Sequence, residues 1–259
     1  MIQFDQMNDE ARTIPMNHIR LETVDSTNER LKREYQGHPH LTVLSAVRQT
    51  AGRGRLGRVW IDDGKSALFS ILLKEGLDVA TLDRIPLIAA VALHKTLKAY
   101  VRGLRIKWPN DIVCAEGKLA GILCESVIED GRVLALVVGF GVNANTLDFP
   151  DEIAASAVSL FGLTGRRTDP VEIVERTAAA FVAELAAERA GESDWRAYAN
   201  RVSALRGERI FFLREGVRRD GVAGRIQQDG SLRVETSAGI LDLRSGEVTI
   251  TGGMKLPSE

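Results

Sequence analysis

Cysteine is scarce in this chain: Cys114 and Cys124 are the only two in 259 residues, each lies in an apolar run, and neither belongs to a CxxC. This usage excludes a disulfide framework and reads as two reduced, buried thiols. Histidine is scarce as well, and His18, His38, His40 and His94 lack metal-ligand spacing, so none is assigned a role. There is no excess of either charge, since 34 Lys+Arg against 35 Asp+Glu leave a net charge of −1. A protein that holds long nucleic acid by electrostatics alone carries a clear basic excess. No apolar run approaches the roughly 18 residues of a membrane span. The opening "MIQFDQMNDEARTIPMNHIR" has no basic region followed by an apolar stretch, so it is not a secretory signal. GxxxxGK[ST] and GxSxG are both missing, which removes the Walker-type phosphate loop and the serine-hydrolase elbow. These absences leave a cytoplasmic protein with no membrane role and a loose N-terminal lead over residues 1–17.

What is present is an ordinary globular composition, 44% hydrophobic and 27% charged, enough for one large domain and one small. "IRLETVDSTNERLKREY" turns from strand to helix, with Ser26 and Glu29 spaced as a capping box. "LTVLSAVRQ" and "ALFSILLK" read as buried strands, and Asp83 to Val101 as a long helix with Pro86 in its first turn. Strands follow through Asn145, with Asp130-Gly131 as a hairpin turn. Asp169 and Pro170 open a helix with Val171, Val174, Phe181, Val182 and Leu185 as its core stripe, and a shorter helix surrounds Trp195, Tyr198 and Val202. After Arg206 the chain becomes short strands broken by glycine turns, among them Asp220-Gly221 and Asp229-Gly230. That texture predicts a small β-barrel, so the expected domains are 1–205 and 206–259.

Five stretches can carry chemistry. "TAGRGRLGRVW" sets Arg53, Arg55 and Arg58 among Gly52, Gly54 and Gly57. It suits a solvated surface loop or a phosphate cradle, because glycines let backbone N–H groups approach an anion and arginines supply forked donors. In "KWPND", Asn110 and Asp111 either close a turn or bring a carboxylate beside Mg²⁺ and phosphate. In "GKLAGIL", Lys118 is a solvated strand edge or a point charge aimed into a cleft, and Gly121 marks a close approach of backbone to ligand. "VGFGVNAN" holds Gly141 in a strand and offers the Asn143 amide to a base edge. "DSTN" is a helix start whose spare polar groups also suit a polar ligand head.

The order of these stretches closely resembles the biotin–protein ligases, over about residues 20 to 250. The resemblance implies an α+β fold: a mixed sheet flanked by helices, of the class II synthetase kind, followed by an SH3-like β-barrel. It implies two steps, formation of biotinyl-5′-AMP from biotin and ATP with Mg²⁺, then transfer to a lysine of a biotin carboxyl carrier protein, by default that of acetyl-CoA carboxylase. By motif position, Ser26, Thr27, Asn28 and Gln49 would face the ureido head of biotin. Gly52, Arg53, Gly54 and Arg55 would fold over biotin and the α-phosphate, with Gly121 close by. Lys118 would meet the carboxylate and the α-phosphate. Arg58, Gly141 and Asn143 would lie toward the nucleotide, with Asn110 and Asp111 near the phosphate and metal and Trp60 at the edge of the site. The catalytic set would be Lys118, Arg53, Arg55 and Asp111, and the loop over 52–58 would order when ligand binds.

Some members of that family carry an N-terminal helix-turn-helix domain. Here only about 20 residues precede the first strand, so a ligase without DNA binding is expected. Lipoate–protein ligase, with a similar fold and two-step logic, is the alternative. An RNA-binding module using the arginine loop is the rival from another class, disfavoured by the neutral charge. The chain is expected to be a monomer or a homodimer.

Overall fold

The computed structural model describes residues 17–250 except 215, 245 and 247, so the lead expected over 1–17 lies, but for Asn17, outside the described residues, as does the end of the expected barrel beyond 250. Seven strands form the main sheet: β1 (His18–Val24), β2 (Val43–Gln49), β3 (Ala67–Leu73), β4 (Arg105–Lys107), β5 (Asp111–Cys114), β6 (Gly117–Glu129) and β7 (Arg132–Val142). Their order is β1-β2-β3-β7-β6-β5-β4. The β1–β2 pair is parallel and the others are antiparallel, which makes the sheet mixed. The helices are α1 (Thr27–Glu34), α2 (Val79–Leu82), α3 (Ile85–Leu97), α4 (Asp151–Ala154), α5 (Leu160–Thr164), α6 (Pro170–Arg189) and α7 (Trp195–Arg201). None among the described residues is long and apolar enough to cross a membrane.

All seven residues of β3 are buried, as a continuous apolar run between two covered faces requires. Helix α1 packs on β3 and β7, and α6 lies against β3 and α3. Eleven of the 13 residues of α3 are buried, so this helix is enclosed rather than amphipathic. Phe140 stacks on Phe69 at 4.7 Å and meets Phe181 of α6 edge-on at 5.7 Å, fixing sheet to helix. Asp169 caps α6 by accepting from Val171 N–H at 2.9 Å. Asp130 and Gly131 both take positive φ, 49° and 73°, as the two-residue β6–β7 turn demands.

Two local expectations are corrected. Ser26 occupies the N-cap position of α1, yet its side chain makes no cap bond. Glu29 is drawn instead to Arg53 and Lys32, because tertiary cations compete with the local backbone donor. Asp220-Gly221 is not a turn: it lies inside β9 (Val217–Ile226), which follows β8 (Arg209–Arg214). A Cβ on Gly221 would meet Glu235 O and Val234 Cγ1, each at 2.6 Å, so this glycine permits close strand packing. Strands β10 (Leu232–Thr236), β11 (Gly239–Leu243) and β12 (Val248–Ile250) complete an antiparallel five-stranded sheet in the order β11-β10-β9-β8-β12. This sheet is anchored on the larger unit. Trp108 Nε1 donates to Gly230 O at 2.9 Å, and the small sheet's Ile210, Phe212 and Val234 share one core with α3.

Candidate active site

The site begins with missing side chains. Gly139 and Gly141 alternate along β7 and therefore share a face, and Gly141 pairs with Gly121 of β6. A Cβ at 139 would lie 2.2 Å from Asn28 Oδ1, one at 141 would lie 2.7 Å from Trp60 Cε2, and one at 121 would lie 3.0 Å from the Lys118 Cε and Nζ atoms. The three glycines form a shelf on the α1 face, and Asn28, Trp60 and Lys118 rest on it.

At one end of the shelf, a cavity open to solvent is lined by Ser26, Thr27, Asn28, Gln49, Arg53, Trp60 and Lys118 together with Leu68, Ile122 and Leu123. Its polar groups are oriented by one another. Gln49 Oε1 accepts from Thr27 N–H at 2.7 Å and from Thr27 Oγ1 at 3.1 Å. Ser70 Oγ lies 2.7 Å from Thr27 Oγ1 and 2.6 Å from Asn28 Oδ1. Asn28 Nδ2 donates to Leu123 O at 3.1 Å and Glu125 Oε2 at 2.9 Å. With its oxygen engaged by Thr27, Gln49 presents Nε2 as a donor. The result is a hollow of mixed lining, with apolar walls from Leu68, Ile122, Leu123 and Phe140 and a preset polar end, the form of a small-molecule pocket.

A second recess gathers Arg55, Arg58, Lys107, Asp111 and Lys118, and Gly246, Val248 and Thr249 of the small sheet close its side. Arg55 Nη1 donates to Asn110 Oδ1 at 3.0 Å, and Asn110 Nδ2 in turn donates to Ile122 O at 2.7 Å. The Trp108–Pro109 bond in this corner is cis. A third, more apolar recess is lined by Val59, Trp60, Ile61, Val113, Asn143, Phe149 and Ile153. Asn143 Nδ2 donates to Val158 O at 3.0 Å and more loosely to Lys118 O at 3.4 Å.

Lys118 borders all three spaces. Its ammonium lies 2.8 Å from Asp111 Oδ1 and 5.8 Å from the Trp60 ring. Asp111 Oδ1 is buried and has no aligned hydrogen bond, and the same holds for Trp60 Nε1. Asp111 Oδ1 is thus held by the Lys118 ammonium alone, and the Trp60 indole N–H stands open beside this ion pair. Among the described residues no cluster of three or more acidic, His or Cys side chains could hold a metal alone. Asp111 is a single carboxylate already paired with Lys118, so a metal ion beside it would have to draw most of its ligands from outside the protein.

The loop from Gly52 to Trp60 folds back on itself. Gly54 N–H donates to Arg58 O at 2.8 Å, Trp60 N–H donates to Gly52 O at 3.0 Å, and Arg53 and Val59 form a bridge. Leu56 and Gly57 turn at φ 55° and 76°. The three arginines separate: Arg55 and Arg58 line the cationic recess, while Arg53 pairs with Glu29 and, at 3.5 Å, Glu125. Lys32 bridges the same two carboxylates at 2.9 and 3.1 Å. Every residue expected at the site except Gly52, Gly54 and Gly57 borders one of the three spaces, and these glycines form the loop itself. The sequence reading missed Ser70, Glu125, Lys107 and the apolar wall of the third recess. Ser70 had a signal, as the one hydroxyl in a wholly buried strand.

The chain is similar to known proteins of one family. Residues 21–143 match the model of the biotin/lipoate A/B protein ligase family. The biotin–[acetyl-CoA-carboxylase] ligase of Paracoccus denitrificans is 34% identical over 167 residues, 62% of this chain and 70% of that protein. The bifunctional ligase/repressor BirA of Bacillus spizizenii is 34% identical over 165 residues, 61% of this chain; the aligned part is half (50%) of that longer relative. A biotin protein ligase from Aquifex aeolicus, solved in complex with biotin and ATP, superposes with a TM-score of 0.80 at 30% identity, covering 90% of this chain and 98% of that one.

Proposed function

The chain belongs to the biotin–protein ligase family, and from that premise we propose that it activates biotin with ATP and passes the biotinyl group to a lysine of a carrier protein, in the cytoplasm. The observation that carries this reading is the position of Lys118, whose ammonium stands where three recesses of different character meet. The first cavity, with its preset Thr27–Gln49–Asn28 end, takes the bicyclic head of biotin, and the valerate chain runs over the glycine shelf toward Lys118. The third recess takes the adenosine, with Trp60 and Asn143 beside it, and the cationic recess takes the departing phosphates.

In the first step a biotin carboxylate oxygen attacks the α-phosphorus of ATP, the bond to the bridging oxygen breaks, and pyrophosphate leaves. Two anions must approach, so fixed cations aimed at the developing charge supply most of the acceleration. Lys118 holds the carboxylate against the α-phosphate, and Arg55 and Arg58 receive the pyrophosphate. Asp111 would hold Mg²⁺ on the phosphate oxygens, where the ion offsets charge. In the second step the carrier lysine amine attacks the acyl carbon, the acyl–phosphate bond breaks, AMP leaves, and the amine proton passes to solvent. The folded arginine loop, tied down through Arg53, covers the mixed anhydride and keeps water from it. The test is intact-mass analysis of a biotin carboxyl carrier domain incubated with the protein, ATP, Mg²⁺ and either biotin or lipoate. An ATP-dependent gain of one biotinyl group is expected. A gain of lipoyl alone, or of neither group, overturns the reading.

A further inference from the structure

Away from the site, a groove runs between α7 and the small sheet. It is lined by Arg196, Arg201, Arg206, Arg225 and Arg233, with Glu235 as its single carboxylate. Arg233 is already engaged, since its Nε and Nη2 each reach Asp242 at 3.0 Å. The other four guanidinium groups come from α7, the connector after it and β9, are exposed, and have no carboxylate partner among the described residues. Some exposed arginines on other faces take carboxylates, as Arg20 takes Glu175, Arg33 takes Asp25 and Arg209 takes Asp220, and others, such as Arg102, Arg132 and Arg166, take none among the described residues; the groove differs in gathering four of the latter side by side. On a chain of net charge −1, this is a local concentration of positive charge.

The groove is rigidly framed. Asn200 of α7 reads both backbone groups of Ile226, donating from Nδ2 to its carbonyl at 3.0 Å and accepting its N–H on Oδ1 at 2.8 Å. Arg201 is steadied over the Tyr198 ring at 4.8 Å, and that ring is itself buried and bonded to His94 at 3.0 Å. A short hydrogen-bonded path links the groove wall to the active-site corner. Gly230, which accepts from the Trp108 indole at the cationic recess, donates its N–H to Gln227 O at the groove wall at 3.1 Å. Arg105 and Lys107 lie on the same face of β4, and Lys107 lines two of the active-site recesses, so basic side chains continue from the recess along the sheet edge.

We propose that this groove docks an acidic surface of the protein that accepts the biotinyl group. The proposal rests on the ligase reading above and adds the recognition of its second substrate. Forked guanidinium donors match carboxylates bidentately, and these four have no carboxylate partner among the described residues to give up on binding. A nucleic acid strand fits less well, because the groove has no exposed aromatic face on which bases stack. Charge at such a rim acts mainly on encounter, so its signature is a salt-sensitive KM for the protein substrate.

The test uses the full chain with Arg201, Arg206 and Arg225 replaced together by Gln, and a companion with all three replaced by Lys. Each is assayed for biotin-dependent pyrophosphate exchange and for transfer to a biotin carboxyl carrier domain at low and high salt. At low salt the Gln variant is expected to show a KM for the carrier raised roughly tenfold, with kcat and exchange unchanged, and the Lys variant a smaller rise. High salt should erase the difference from the parent protein. An unchanged carrier KM in the Gln variant at low salt, with exchange intact, overturns the docking proposal and leaves the ligase reading standing. Loss of arginine-dependent retention of single-stranded RNA in the Gln variant, with carrier KM unchanged, overturns it in favour of nucleic acid. Absence of exchange in the parent protein refutes the ligase reading itself.

Discussion

At the scale of single residues, the account turns on Lys118 and the glycine shelf beneath it. Lys118→Ala removes the one side chain among the described residues that borders all three recesses. Biotin-dependent exchange is expected to fall about 100-fold or more, the usual cost of a lost charge-stabilising group, while the melting temperature holds. A variant that keeps exchange within about threefold removes Lys118 from the mechanism. Gly141→Ala would set a Cβ 2.7 Å from Trp60 Cε2 and push the indole off the shelf. That change should raise the KM for ATP and biotin and leave the fold intact, since the displaced ring opens toward the recesses. An unchanged KM for both substrates would mean that the indole position is immaterial. The two thiols belong to the same scale. Burial pushes Cys114 up to about 11 and Cys124 up to about 12, in keeping with structural rather than reactive cysteines.

At the scale of elements, the arginine loop is held by a charge cluster that no local pattern announces. Arg53 on the loop, Glu29 and Lys32 on α1 and Glu125 on β6 come together only through the fold. Glu29→Gln removes one anion from the cluster. Trypsin cleavage between Arg53 and Arg58 is expected to quicken in this variant, and saturating biotin with ATP should slow it again. Cleavage at the parental rate would show that the cluster does not hold the loop. This example marks the limit of what could be read in advance. Motif order pointed to Lys118, Asp111 and the Thr27–Asn28–Gln49 end, because their chemistry is written into short contiguous stretches. Asp130-Gly131 was legible because a two-residue turn is a local event. Asp220-Gly221 looked the same, but packing against Val234 and Glu235 kept it within a strand. Glu29 looked like half of a capping box until Arg53 and Lys32 reached it, and the partners of Arg53 and Arg55 were invisible because they lie far along the chain, on α1, on β6 and in the turn before β5.

At the scale of the whole molecule, pH and catalysis give the broadest tests. Burial is the main cause that lowers the pKa of His18, His40 and His94, and His94 is also enclosed by Tyr198 and Leu104 O. These histidines stay neutral in the folded protein where the unfolded chain takes up protons near 6.5. Their contribution to stability is therefore complete above that value and is lost as pH falls below it. The melting temperature should drop from about pH 7.5 to 5.5, and His94→Gln should flatten part of that slope. A flat profile in the parent protein would contradict the burial of neutral histidines. The central claim, that the three recesses around Lys118 join a biotin carboxylate to the α-phosphate of ATP, is tested most directly by isotope exchange between pyrophosphate and ATP without any carrier protein. The account predicts exchange that requires biotin and Mg²⁺ and is lost in Lys118→Ala. Exchange that proceeds with lipoate but not biotin, or none with either acid, would contradict it.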